Sequence, residues 1–119
     1  MNFKIEMMNT FFENNISECR KRENELFSDD RRDEADFEKI RANIYDIFRT
    51  VLNAALKKCG EDEAAVKDFF LSKLESIPSG WKAEREKALQ HGDAVKQQIE
   101  EIKLEAADKI KTEFMRIWG

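Results

Sequence analysis

The chain has one histidine, His91, and it stands beside Gly92 and Asp93 in the stretch IPSGWKAEREKALQHGDAV, residues 77–95. The same stretch holds the only proline, Pro78, and one of the two tryptophans, Trp81. An imidazole facing a carboxylate is the beginning of a general-base unit, because the carboxylate raises imidazole basicity and orients the ring. If the segments on either side of Pro78, Ser79 and Gly80 fold back as an antiparallel hairpin, residues equidistant from the turn meet, and Asp68 comes opposite His91. Asp68, Trp81, His91, Gly92 and Asp93 are therefore the set that would line a ligand or enzyme pocket. The same geometry brings no serine or cysteine beside His91, so no nucleophile and no catalytic residue is assigned.

Other chemistries lack their residues. A carboxylate-bridged metal site in a helical bundle uses Glu-x-x-His, and the residue three before His91 is Ala88. One histidine and two widely separated cysteines are too few ligands for zinc, and no glycine-rich phosphate loop is present. No metal and no cofactor is expected. Cys19 and Cys59 both fall on inward-facing positions, where a cysteine acts as a small apolar residue; free thiols suit a reducing compartment.

Charge narrows the partners. The 21 lysines and arginines face 25 aspartates and glutamates, for a net charge of −4, and neither half of the chain is basic. The clusters at 20–22 and 31–32 are bordered by Glu18, Glu23, Asp29, Asp30 and Asp33, so they do not form a surface that neutralises phosphates. Nucleic-acid binding is not expected. The apolar runs are far shorter than the roughly 20 residues of a membrane helix, and the first residues do not read as a secretory leader. The expectation is a cytoplasmic protein without membrane contact.

The elements that would position these residues are helices. Hydrophobic residues make up 41% of the 119 and charged residues 39%, with four glycines and one proline, a composition that favours helix over strand. A chain of this length suits one domain, residues 1–119. Ile5, Met8, Phe12, Ile16, Cys19 and Leu26 recur at three- and four-residue steps and predict a first helix over about residues 2–27. Phe37, Ile40, Ile44, Ile47, Phe48, Val51, Ala55 and Cys59 predict a central one over about 34–59, with Tyr45, Leu52 and Leu56 on a flanking stripe and Gly60 closing it. Glu61 and Asp62 open a third helix, which Pro78 is expected to end.

Beyond Pro78 the positions 81, 85, 88, 92, 95, 99, 102 and 106 form an unbroken seam, completed by Ile110, Phe114 and Ile117. The spacing predicts one long C-terminal helix over about 80–118 that carries Gly92 on its inner face. There glycine would tolerate alanine but not leucine. An interruption at His91, Gly92 and Asp93, with Asp93 capping a fifth helix, is the alternative.

The fold expected is thus an all-α bundle of four helices, or five if the last is kinked at Gly92. An extra apolar stripe, Phe3, Met7 and Phe11, begins the first helix, and Ile117 and Trp118 crowd the far terminus. Exposed together, these residues would form a patch that a homodimer or another protein partner covers. The expected function is that of a protein-interaction module that self-associates, and the sequence leaves enzymatic activity open while leaning against it. The competing expectation is an enzyme or ligand-binding protein with its pocket at Trp81, His91, Gly92 and Asp93.

Overall fold

Four helices of similar length account for nearly the whole chain in the computed structural model, which describes residues 1–119: α1 (Asn2–Ser28), α2 (Arg32–Cys59), α3 (Glu63–Gln90) and α4 (Ala94–Trp118). Three short connections make sequential helices antiparallel. Local chemistry sets their ends. α2 has Asp33 and Glu34 in its first turn and Lys57 and Lys58 in its last, each sign at the favourable end of the helix dipole. Gly60 ends it at φ 60°, ψ −130°, a conformation that residues with a Cβ rarely adopt. The Asp62 carboxylate then caps α3 by accepting from the Ala65 amide at 3.1 Å.

The last connection lies elsewhere than expected. Pro78 does not end the third helix: α3 runs through it to Gln90, and the long helix over 80–118 does not form. Proline removes one donor and crowds the carbonyl of Leu74, a local cost of about 3 kcal/mol in a helix interior. Tertiary burial offsets it, because Val66, Phe70, Leu74 and Pro78 lie at four-residue steps on one buried face.

Gly92, in contrast, is a turn residue with φ +68°. Its amide bonds to the Leu89 carbonyl at 3.3 Å and the Asp93 amide to the Ala88 carbonyl at 2.9 Å, the two bonds of a Schellman motif. The Asp93 side chain accepts from the Lys96 amide at 3.0 Å and so caps α4. The chain thus breaks where the alternative reading placed Asp93 as a cap. The bundle still has four helices, because Pro78 makes no break of its own.

The expectation for Gly92 substitutions reverses accordingly. Nothing lies within 4 Å of a Cβ built on Gly92, so crowding is not at issue. Alanine in the left-handed region costs about 1 to 2 kcal/mol, and leucine should cost about the same because its extra atoms point into solvent. Asparagine, which tolerates this region better, should fall between glycine and alanine. Urea denaturation of the three variants gives the order; a larger loss for leucine than for alanine would restore the packed-seam reading.

The helices pack unequally. α2 packs on α1, α3 and α4, as its role as central helix required, whereas α1 and α3 do not pack on each other and are joined only by the Lys4–Glu63 ion pair, and α1 packs on α4 only weakly. The bundle is compressed along the α2–α4 diagonal, and at 45 × 34 × 21 Å it is about two helices thick. Its dry core sits at the end that holds the start of α1 and the end of α4. There Phe48 and Phe70 lie 6.3 Å apart, Phe70 and Phe114 4.4 Å, and Trp118 stacks on Phe114 at 4.9 Å. Met8, Phe12, Leu52 and Ile110 close around them. The opposite end contributes smaller or polar buried residues, among them Cys19, Ala35, Glu38, Ala88 and Glu100.

The inner face of α2 is also rotated from the expected one. Ala35, Glu38, Ala42, Ile44, Tyr45, Phe48, Leu52 and Ala55 are buried, while Ile40 is half-buried and Ile47 is 41% exposed. Small side chains at 35, 42 and 55 let the neighbouring helices come close; Ile44 enters the core as its spacing required, and Ile40 and Ile47 are left to the rim. Pattern reading weights bulk, but close packing selects shape.

Candidate functional site

The structure does not bring together the five residues of the expected pocket. Asp68 and His91 lie on one helix and its cap, 23 positions apart, or roughly 34 Å along the axis. The pairing of Asp68 with His91 required a turn at Pro78 and is lost with it. His91, Gly92 and Asp93 are exposed at the α3–α4 tip, and Asp68 is exposed near the other end of α3. Trp81 is a packing residue: its half-buried ring meets Phe48 edge-on at 6.3 Å, and the Lys103 ammonium lies 5.9 Å from the ring centre.

The N-terminal stripe does reach the surface. Phe3 is 72% exposed, and Met7 and Phe11 are half-buried. They line an open groove of about 450 Å³ together with Glu6 of α1 and, from the last turns of α4, Glu113 and Arg116, which form an ion pair. The two chain ends are neighbours, as the expected patch required. The side chains named for the far end are not its lining, however. Trp118 is only 6% exposed, stacked on Phe114 and lying below the Lys4 ammonium at 5.8 Å, and Ile117 packs against the core. Lys4 also pairs with Glu63 at the start of α3 and holds that carboxyl below its usual range. The aromatic residue at the C-terminus therefore completes the protein's own core.

A second opening, a crevice of about 620 Å³, lies at the far end between the α1–α2 hairpin and α4. Its apolar wall is made by Leu26, Phe37 and Ile102. Glu34 and Glu38 face it from α2, Glu101 and Glu105 from α4, and Arg41 is the single cation of the lining. Glu38 is spoken for: its two oxygens accept from Arg22 Nε at 3.2 Å and from Arg41. Glu105 makes no ion pair and lines the crevice. Glu101 is met only by the Gln97 amide at 3.1 Å.

Behind this crevice lies a buried polar cluster that sequence reading did not single out. Arg22 reaches Cys19 Sγ at 3.6 Å as well as Glu38. Burial, with the Glu38 charge adding to it, pushes the Cys19 thiol up, against the opposing pull of Arg22 and Arg41. Tyr45 beside them is pushed up to about 12, chiefly by burial. The signal available in the sequence was Glu38 itself, a charge at helical spacing between Ala35, Ala42 and Tyr45.

A thiol raised above its ordinary range is a weaker nucleophile, not an activated one. No three His, Cys, Asp or Glu side chains gather in a way that could hold a metal ion, and no helix is long and apolar enough to cross a membrane. Compared with known protein families, curated proteins and solved structures, the chain matches none.

Proposed function

We propose that this chain is a protein-interaction module of the cytoplasm that pairs with a second copy of itself through the groove at the start of α1. The observation that carries the reading is Phe3, a large apolar side chain 72% exposed beside a groove it does not fill. Two α1 helices crossing antiparallel about a two-fold axis near Met7 would set each Phe3 into the open part of the other copy's groove. One self-complementary surface suffices for such a pair. At the edges Glu113 and Arg116 neutralise each other as an ion pair, which leaves Glu6 as the one uncompensated charge that each copy brings to the groove.

Withdrawal of Trp118 into the core makes the patch smaller than the sequence suggested. The interface expected is below the standard size of about 800 Å² per partner, and the association is correspondingly weak. The free thiols of Cys19 and Cys59 fit a reducing compartment. The competing reading, a pocket around Trp81, His91, Gly92 and Asp93, has no convergence of residues to support it.

Sedimentation equilibrium across micromolar concentrations tests the proposal. The expected result is a concentration-dependent shift from 14.0 kDa towards twice that mass, abolished by Phe3→Glu at unchanged helicity. A 14.0 kDa species at every concentration overturns it.

A further inference from the structure

We infer that the crevice between the α1–α2 hairpin and α4 is a docking site for a basic amphipathic helix of another protein. The surface is distinct from the Phe3 groove and lies at the opposite end of the bundle. Its walls combine two features. Leu26, Phe37 and Ile102 offer apolar contact, and Glu101 and Glu105, one turn apart on α4, present carboxylates without a cationic partner. Glu34 faces them from α2, where Arg31 pairs with it.

The dimensions fit a helix rather than a small cation. The lining runs from Glu34 to Arg41 on one side and from Gln98 to Glu105 on the other, seven residue steps on each, or roughly 10 Å. That is the length of two helical turns. A segment with apolar residues at i, i+3, i+4 and i+7 would lay them on Phe37 and Ile102, with lysines or arginines beside them reaching Glu101 and Glu105. Electrostatics selects against the other occupants. A second copy that used the same face would set Glu101 and Glu105 against their own equivalents, and nucleic acid would be repelled. Glu38, already held by Arg22 and Arg41, needs no ligand and keeps the wall rigid.

The test titrates the full chain with a 14-residue peptide that has leucines at i, i+3, i+4 and i+7 and lysines elsewhere, its glutamate counterpart, and spermine. Methyl NMR of Leu26 and Ile102 reports where each binds. The expected result is saturable binding of the lysine peptide with shifts at both methyls, weakened at least tenfold by the double substitution Glu101→Lys and Glu105→Lys. Both positions are exposed, so the fold should survive. Reversing two remote exposed acids, Asp68→Lys and Glu86→Lys, should leave binding within twofold. Equal weakening by both pairs would mean diffuse attraction to an acidic protein and overturn the inference. Spermine binding with the same methyl shifts would replace the helix with a small polycation. Methyl shifts that appear on concentrating the protein alone would show a second copy in the crevice.

Discussion

Replacing Phe114 by alanine is expected to lower the unfolding free energy by about 3 to 5 kcal/mol, the largest effect of any single change considered for this chain. Phe114 is fully buried and joins two aromatic contacts, with Phe70 at 4.4 Å and Trp118 at 4.9 Å. Truncation removes its own burial and leaves a cavity between α3 and α4 that rigid neighbours fill only in part. A domain of this size has about 5 to 15 kcal/mol in total, so the variant should sit close to the unfolding threshold. Leu26→Ala is the matched comparison. That side chain lines the open crevice and is half-buried, so its loss should cost about 1 kcal/mol or less. Urea denaturation followed by circular dichroism measures both. Equal losses would mean that the aromatic end is not the dry core.

The second large effect is on alkaline stability. Tyr45 is 1% exposed, and burial pushes its hydroxyl up from the ordinary value of 10 to about 12. Because the deprotonated form is the charged one, burial disfavours it and the folded state holds the proton more tightly than the unfolded chain. The stabilisation is fully present below pH 10 and is lost as the pH rises from 10 through 12. Two pKa units amount to about 2 to 3 kcal/mol at the upper end of that window. Cys19, raised from 9.0 by the same burial, should add to the loss at its lower end. Tyr45→Phe keeps the ring and removes the proton. Urea midpoints at pH 9 and pH 12 should therefore fall less in Tyr45→Phe than in the parent, while lysine deprotonation is common to both. Parallel losses in the two proteins would show that the hydroxyl is solvated in the folded state.

Much of the architecture was legible because it rests on short-range chemistry. Met8, Phe12, Ile16 and Cys19 in α1, and Ile102, Ala106, Ile110 and Phe114 in α4, are buried as their spacing required. A helix on one side of a core exposes its pattern in three- and four-residue steps. Gly60 and Asp62 announced their turn through backbone freedom and capping, which depend only on neighbouring residues. The all-α class followed from the same local preferences.

Where two local signals competed, only the tertiary structure chose. Pro78 reads as a stop, yet a row of buried contacts from Val66 to Pro78 offsets its lost hydrogen bond. The seam through Gly92 reads as continuous helix, yet the Schellman bonds at Ala88 and Leu89, with the Asp93 cap, satisfy a turn that lets α4 fold back on α3. Proline and glycine each carry a local free energy of a few kcal/mol at most, and the packing of whole helices exceeds it. The same holds for the surfaces. Phe3 and Trp118 both present an apolar ring near a terminus, and nothing local tells which is covered. Their fates part because Phe114 offers Trp118 a stacking partner within α4's own buried face, while no neighbouring helix reaches Phe3. Glu101 and Glu105 become a wall of a crevice because α1 and α4 stay apart at that end, a relation set by the crossing of helices distant in the chain. Periodicity determines which face of each helix turns inward, and the meeting of the helices decides which outward residues share a site.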